Sequence, residues 1–180
     1  YKTASPSMDI LVSSNLERYL YLESGRDAQL TAKLMRDLSE EGVYEAPESV
    51  RAALQEGFRA GSAADREAFG AIRAVWERHG YLLDTHTAVA WAVCERFVRE
   101  ADNACPTVVL ATASPYKFAS SVLEALGAPA EDGFAAVDAL FDLTGVPVPK
   151  SLSEVRGLPV KHTDAVDKEN ILDYVKGAIA

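Results

Sequence analysis

Lys117 is the residue of this sequence whose type and position most suggest chemistry with an anion. It follows Ser114 and Pro115, which are typical of a helix start, since serine is a favoured N-cap and proline suits the first helical position. The positive end of a helix dipole disfavours a lysine in the first turn. A bound phosphate or carboxylate would reverse that effect, because helix N-termini collect anions. A solvated lysine at an ordinary strand–helix junction is the alternative.

The element that would position Lys117 is a buried strand that ends just before this helix. Residues 107–110 are Thr-Val-Val-Leu, an uncharged run rich in β-branched side chains, which predicts a strand covered on both faces. Ligands in α/β proteins often bind where such a strand ends and a capped helix begins. The stretch 107–118 is therefore the first candidate for a site.

A second polar group lies at residues 13–15, Ser-Ser-Asn. Ser14 and Glu17 have the spacing of a capping box, which predicts a helix that ends at Gly25. The hydroxyl and amide groups of Ser13, Ser14 and Asn15 could also bind a ligand at the start of that helix. Capping alone explains them equally well.

His86 falls in the first turn of a helix for which Asp84 or Thr85 is the predicted cap. The positive end of the helix lowers the affinity of a histidine for its proton. We therefore expect a neutral, hydrogen-bonded histidine near the core rather than a catalytic base.

Most of the remaining chain has helical periodicity. Asp27 is the predicted cap of a helix that stops at Gly42. Five further helices are predicted: one that begins at Pro47, one over about 65–79, one over about 85–98, one that ends at Gly145 and one that Asp167 caps. The helix after Thr85 is apolar nearly all round, which predicts deep burial, and the last helix should turn Ile171, Leu172, Val175 and Ile179 inward.

The predicted strands are too few for a complete sheet. Residues 158–162 indicate a short edge strand, and only two or three strands in all stand against about eight helices. A parallel sheet covered on both faces needs more strands than this. Part of the sheet is therefore expected to lie outside this chain. Residues 1–80 are predicted to be helix-rich, and residues 81–180 to hold the strand–helix region.

Composition excludes several classes of protein. The 180 residues carry a net charge of −9 and the pI is about 4.8, which argues against a nucleic-acid partner. No apolar stretch could span a membrane, and no signal peptide is recognisable at Tyr1. The two cysteines, Cys94 and Cys105, have neither metal-ligand spacing nor a disulfide framework. These features predict a cytoplasmic protein without a metal site.

Four stretches resemble the C-terminal part of threonine synthase, a pyridoxal-phosphate enzyme of the tryptophan-synthase β-subunit fold type. They begin with Ser-Pro-Ser-Met-Asp, Gly-Tyr-Leu-Leu-Asp-Thr-His-Thr, Thr-Val-Val-Leu-Ala-Thr-Ala-Ser-Pro-Tyr-Lys and Leu-Pro-Val-Lys-His, at residues 5–18, 80–90, 107–118 and 158–162. They occur in the order of the family and together cover the chain nearly end to end. Thr85 departs from the pattern, since the family more often carries proline there.

The resemblance implies a fold and an activity for the parent protein. The fold would be a helix-rich partial three-layer α/β domain with a few parallel strands, part of the large domain of a fold type II pyridoxal-phosphate (PLP) enzyme. The activity would be that of a lyase in threonine biosynthesis, which converts O-phospho-L-homoserine and water to L-threonine and phosphate. The lysine that holds PLP as a Schiff base, and the glycine-rich loop for its phosphate, belong to an N-terminal part that is missing here. The segment should therefore be inactive alone.

The resemblance also assigns roles to residues of this chain. Thr112 would face the pyridine nitrogen of PLP, and Lys117 would lie near the substrate phosphate. Ser13, Ser14 and Asn15 would line the substrate side, and no catalytic residue is expected in the segment. The alternatives are a non-catalytic α/β module that binds a phosphorylated small molecule at residues 114–117, and a helix-rich assembly module without a ligand.

Overall fold

A computed structural model describes residues 2–10, 12–101 and 106–179 of the chain. Its α-helices are α1 to α9, in order Ser14–Glu23, Ala28–Glu41, Glu48–Gly57, Asp65–His79, Thr85–Ala101, Ala119–Ala125, Gly133–Thr144, Lys150–Ser153 and Ile171–Ile179. Short 3-10 helices cover Pro115–Phe118, Glu154–Gly157 and Lys168–Asn170. The chain forms two compact units, residues 1–147 and 148–180.

Several helix ends lie where the sequence predicts them. The Oδ1 atom of Asp27 accepts hydrogen bonds from the backbone N–H groups of Gln29 and Leu30, both at 2.9 Å, so the predicted cap of α2 is confirmed. Gly80 and Gly145 end α4 and α7 in the left-handed region, with φ of 62° and 67°. A residue with a Cβ atom would be strained there, which explains why glycine ends these helices.

The first hydrophobic cluster is formed by α1, α2 and α3, which are consecutive in the chain. Leu20, Leu34, Ala46 and Val50 are its buried members, and Leu30 and Leu54 pack around them. These residues follow the helical periodicity of the sequence, with leucines four apart on α2. The first three helices therefore form a cluster from contacts between neighbours in the chain.

The second hydrophobic cluster is centred on α4, which packs against α5 and α6, while α6 packs against α7. Ile72, Val122 and Leu140 are fully buried there. Burial of such a side chain contributes about 1.5–3 kcal/mol relative to its exposure. This cluster carries the connection at residues 80–87 and the start of α6, so it positions the residues discussed below.

Helix α5 is less buried than its apolar sequence predicts. Its first turn, from Thr85 to Ala88, is buried, but the burial decreases toward its C-terminus, where Phe97 is 36 % exposed. It packs against α4, and its residues from Val89 to Phe97 also border an open cleft. The apolar sequence of α5 predicts packing partners on all sides of the helix. The described part of the chain covers only some of that surface.

The two predicted strands do not form. Within residues 2–10, 12–101 and 106–179 no segment adopts β-strand structure, and the described residues offer neither 107–110 nor 158–162 a neighbouring strand. Residues 107–110 have no regular secondary structure, and Val108 is 81 % and Leu110 is 75 % exposed, so the predicted burial is wrong. A strand is defined by hydrogen bonds to its neighbours, and an isolated extended segment cannot bury both faces. Few strands are expected from the sequence, and the described part of the chain contains none.

Residues 148–180 carry little apolar burial within their own unit. Helix α9 exposes Ile171, Leu172, Val175 and Ile179, which the sequence predicts to face inward. Leu158 and Val160 of the predicted edge strand are exposed as well. The unit contains only short helices, so it offers no core for these side chains.

Candidate functional site

Lys117 lies in the 3-10 helix Pro115–Phe118, which precedes α6. The Oγ atom of Ser114 accepts a hydrogen bond from the backbone N–H of Tyr116 at 3.3 Å, and Pro115 follows it, so the predicted cap is confirmed. Phe118 then leaves helical geometry, with φ −126° and ψ 37°, before α6 begins at Ala119. Lys117 therefore belongs to a single short turn. The sequence predicts Lys117 to be unfavourable at this position because of the dipole of a long helix. A turn of four residues has no such dipole.

The side chain of Lys117 is exposed, and no carboxylate of the described residues forms an ion pair with it. Its Nζ atom lies 5.5 Å from the centroid of the Phe118 ring, within the range of a cation–π contact. The backbone N–H of Lys117 donates to the carbonyl oxygen of Ser114 at 3.0 Å. The ammonium group is thus available to an anion, whereas the backbone N–H of the same residue is already used.

Thr112 and the group at residues 13–15 are exposed as well. Thr112 lies in the irregular connection between Leu110 and Ser114, a few residues before Lys117. The Oδ1 atom of Asn15 accepts a hydrogen bond from Nη2 of Arg18. Among these described residues no hydrogen bond joins the 13–15 group to Thr112 or Lys117. Thr112 thus lies just before the 3-10 helix that contains Lys117, whereas residues 13–15 lie at the start of α1.

The capping box predicted for Ser14 and Glu17 is wrong. Helix α1 begins at Ser14 itself, so Ser13 holds the N-cap position, and its side chain makes no capping hydrogen bond. The box requires Ser14 to precede the first helical residue, and the shift by one position removes the reciprocal geometry. The hydroxyl groups of Ser13 and Ser14 are therefore not used in capping α1.

A buried polar cluster, which comprises Ser5, Asp84, Thr85, His86 and Thr87, lies at the start of α5. The Oδ1 atom of Asp84 accepts hydrogen bonds from the backbone N–H of His86 at 2.9 Å and from that of Thr87 at 3.3 Å. Its Oδ2 atom accepts one from the Thr87 hydroxyl. This is the pattern of an N-cap residue, so Asp84, of the two predicted candidates, is the cap of α5.

His86 is 8 % exposed and both of its ring nitrogens have partners. Nε2 accepts a hydrogen bond from the backbone N–H of Ser7 at 3.1 Å, which assigns the lone pair to that nitrogen. Nδ1 then carries the proton and faces Oδ1 of Asp84 and Oγ1 of Thr85, both at 3.3 Å. This agrees with the neutral, hydrogen-bonded histidine that the sequence predicts.

Ser5 and Ser7 also contact this cluster, which the sequence alone does not predict. The Ser5 hydroxyl donates to the carbonyl oxygen of Thr85 at 3.0 Å, and the Ser7 N–H reaches His86 as described above. Both residues lie in residues 5–18, the first of the four stretches that resemble the family. That resemblance is the one feature of the sequence that could have indicated their importance. No local pattern indicates a bond between residues so far apart in the chain.

An open cleft of about 1520 Å³ lies beside α5. Its lining comes from the N-terminal segment, from residues 58–66, from α5 and from residues 107–110, and its apolar members include Val89, Val93, Phe97, Val108 and Leu110. Lys2, Arg59 and Asp65 are among its polar residues. The lining does not include Thr112, Lys117 or residues 13–15, so the cleft is distinct from the predicted site.

The described residues contain neither a candidate metal centre nor a helix that could span a membrane. No group of three or more His, Cys, Asp or Glu side chains among them has an arrangement that could hold a metal ion. In the same part of the chain, every helix is too short or too polar to cross a bilayer.

Comparison with known protein families gives a match to residues 87–171, for the family described as "Threonine synthase, C-terminal". A threonine synthase of Corynebacterium glutamicum is 33 % identical over 153 residues, which cover 82 % of this chain and 31 % of that protein. The human protein named threonine synthase-like 1 is 38 % identical over 125 residues, which cover 69 % of this chain and 16 % of that protein. The chain thus spans less than a third of either relative.

Solved structures give the same result. The structure of PLP-bound threonine synthase from Brucella melitensis is 38 % identical with a TM-score of 0.66, and the match covers 79 % of this chain and 30 % of that one. The yeast threonine synthase, at 24 % identity, matches 99 % of this chain and 36 % of that one with a TM-score of 0.81, which shows a shared fold. The chain therefore corresponds to a C-terminal segment of the threonine synthase family.

Proposed function

We propose that this chain forms the C-terminal portion of a threonine synthase, which converts O-phospho-L-homoserine and water to L-threonine and phosphate. The family match over residues 87–171 carries this proposal, because it includes both Thr112 and Lys117. The likeness to a PLP-bound threonine synthase supports PLP as the cofactor of the whole protein. A cytoplasmic location and membership of the fold type II enzymes, with its parallel sheet, are parts of the same proposal.

The polar groups of this chain fit one side of a cofactor site. Thr112 offers an exposed hydroxyl in the connection before the 3-10 helix, and such a group can hydrogen-bond the pyridine nitrogen of PLP. PLP supplies an electron sink for the reaction when it is bound. None of the lysines lies in a motif that would hold the cofactor covalently. The missing N-terminal part would supply that lysine, so the isolated chain is expected to be inactive.

Lys117 would bind the phosphate of the substrate. Its ammonium group is exposed and has no carboxylate partner among the described residues, so a phosphate would not have to displace an ion pair. Its backbone is fixed by the Ser114 cap and by the buried Tyr116 beside it. Ser13, Ser14 and Asn15 would complete the substrate side with hydroxyl and amide groups once the missing part is in place.

Reduction with borohydride tests the cofactor part of this proposal. The chain is incubated with PLP and reduced, and the modified peptides are then mapped by mass spectrometry. We expect no stoichiometric adduct at a single lysine. A specific adduct at one lysine of this chain would contradict the assignment of the covalent lysine to the missing part.

Titration with O-phospho-L-homoserine tests the role of Lys117. We expect Lys117→Ala to weaken binding, and Lys33→Ala to leave it unchanged. Lys33 is a matched control, because it is an exposed lysine on α2 whose Nζ lies 2.6 Å from Oδ2 of Asp37. Equal binding by the two variants would remove Lys117 from the site.

A second candidate function is a non-catalytic module that binds a phosphorylated small molecule through Lys117. The exposed ammonium group of Lys117, which has no carboxylate partner among the described residues, is the observation that favours it. The two candidates differ when the missing part is added. Turnover of phosphohomoserine by the whole protein supports the enzyme, and saturable binding without turnover supports the module.

A further inference from the structure

We propose that His86 is a positioning residue that fixes the turn carrying Lys117 and joins it to the N-terminal segment of residues 4–7. The inference rests on the proposed function in one respect, since Lys117 matters only if it binds an anion. His86 itself would not touch the substrate. It would act through Phe118, and its contacts with the two segments are independent of any ligand.

The first contact of His86 is with Phe118. The two rings have their centroids 4.6 Å apart and are inclined by 51°. Aromatic pairs at this distance are stabilised beyond the area that they bury. Phe118 is also the ring over which the Nζ atom of Lys117 lies, at 5.5 Å from the centroid. One ring thus connects a buried imidazole with the exposed ammonium group.

The second contact of His86 is with the N-terminal segment. Its Nε2 atom accepts the Ser7 N–H, and two further hydrogen bonds hold the same segment. The Ser5 hydroxyl donates to the carbonyl oxygen of Thr85, and the Ala4 N–H donates to Oδ1 of Asp65 at 2.9 Å. Residues 4–7 are therefore fixed at the starts of α4 and α5. This segment leads toward Ser13, where the other predicted substrate residues lie.

The imidazole is held in this orientation by its own helix. Oδ1 of Asp84 and Oγ1 of Thr85 lie 3.3 Å from Nδ1, and His86 is 8 % exposed. A ring that is fixed on one nitrogen presents the other nitrogen in a defined direction. The side chain of His86 thus contacts two parts of the chain that are far apart in sequence, residues 4–7 and 114–118. Supporting contacts of this kind determine how closely a binding residue keeps its geometry.

Two substitutions separate the two contacts. His86→Gln keeps an acceptor near the position of Nε2 and removes the ring, whereas His86→Phe keeps a ring and removes the acceptor. Two measurements on the intact chain report on each side. Amide hydrogen exchange at Ser7 reports the hydrogen bond, and the ring-current shift of the Lys117 ε-methylene protons reports the position of Lys117 over Phe118.

We expect opposite results from the two variants. His86→Gln should keep slow exchange at Ser7, lose the ring-current shift and weaken the binding of inorganic phosphate several-fold. His86→Phe should exchange quickly at Ser7 and keep the shift. Equal losses in both variants would indicate a general loss of stability and would overturn the proposal, as would an unchanged shift in His86→Gln.

A third variant tests the proposal if substitutions at His86 prevent folding. Phe118→Leu keeps the apolar bulk and removes the ring, and it should also weaken phosphate binding several-fold; unchanged binding would contradict a role for this ring. Failure of the proposed function has a different signature. If Lys117→Ala binds phosphate as the unchanged chain does, Lys117 is not the anion site, while the ring-current shift still decides whether His86 positions it.

Discussion

The backbone N–H of Ser7 donates to Nε2 of His86 at 3.1 Å, although the two residues lie 79 positions apart in the chain. This bond attaches the segment before α1 to the first turn of α5. His86 belongs to the buried polar cluster at the start of α5. Among the described residues, every buried side-chain nitrogen or oxygen atom has a hydrogen-bond partner. Loss of one partner in such a cluster leaves a buried group unsatisfied, at a cost of about 1–3 kcal/mol.

Replacement of Asp84 should destabilise the chain strongly. Asp84→Ala removes the acceptor for two backbone N–H groups and for the Thr87 hydroxyl, and we expect a loss of about 2–3 kcal/mol. Asp84→Asn keeps one acceptor oxygen and should cost less. The exposed Asp142 of α7 provides the control, since Asp142→Ala should change stability by no more than about 0.5 kcal/mol. Urea unfolding measures all three, and equal midpoints for the two alanine variants would refute the capping role of Asp84.

Gly70 within α4 and Gly80, which follows its last residue, should respond to alanine in opposite directions. Neither Gly70 nor Gly80 has an atom within 4 Å of the position of an added Cβ, so both have room for it. Gly80 has φ +62°, and an alanine there should cost about 1 kcal/mol because an L residue is strained in the left-handed region. Gly70 lies inside α4, where alanine should stabilise by about 0.5–1 kcal/mol. Thermal melting of the two variants gives the comparison, and the same sign for both would count against it.

Alkaline pH should destabilise the chain through Tyr116. Burial raises the pKa of its phenol above 10.0, against a smaller opposing effect of a hydrogen bond with Thr144. The folded state therefore holds the phenolic proton more tightly than the unfolded state does. This stabilisation is present below the unfolded pKa and is lost as the pH rises through the folded pKa.

Tyr116→Phe isolates this contribution from those of the other tyrosines. The pKa of Tyr19 is also raised, first by burial, and that of Tyr174 first by its hydrogen bond with Asp164, so the chain keeps some dependence on alkaline pH. Stability measured at pH 9 and above should fall less steeply in the variant. Parallel profiles for the variant and the unchanged chain would exclude Tyr116 as a source of the dependence.

The exposed apolar residues of the 107–110 segment should make the isolated chain bind a hydrophobic dye or self-associate. Val108 and Leu110 line the open cleft and expose most of their surface to solvent. A double change, Val108→Lys with Leu110→Lys, should reduce dye fluorescence. Val43→Lys is a suitable control, because Val43 is similarly exposed but does not line the cleft. A dye-silent, monodisperse chain would argue against a surface that another part of the protein normally covers.

The sequence predicts the helices of this chain well because their signals are local. Asp27, Gly80 and Gly145 act within one turn of the helix that they begin or end, so their neighbours suffice to predict them. Burial is different, since it depends on what lies opposite. The apolar sequences of α5 and α9 predict covered faces, but the described part of the chain covers α5 only in part and leaves α9 exposed.

The candidate site was predictable to a similar degree. The Ser114 cap and the neutral His86 follow from residue type and position. The meeting of Ser7, His86 and Phe118 does not, because it depends on how distant segments pack. Residues 107–110 have the composition of a strand, yet a strand also needs neighbours, and a single sequence does not reveal whether they are present.

The attachment of residues 4–7 also has a consequence for the order of folding. Its hydrogen bonds join residues that are 61, 79 and 80 positions apart, whereas α1, α2 and α3 pack on their neighbours in the chain. Closing such long loops carries an entropic cost that local helix pairs avoid. We expect the helical clusters to form first and the N-terminal segment to dock afterwards. That segment should therefore be among the first to detach when the chain begins to open.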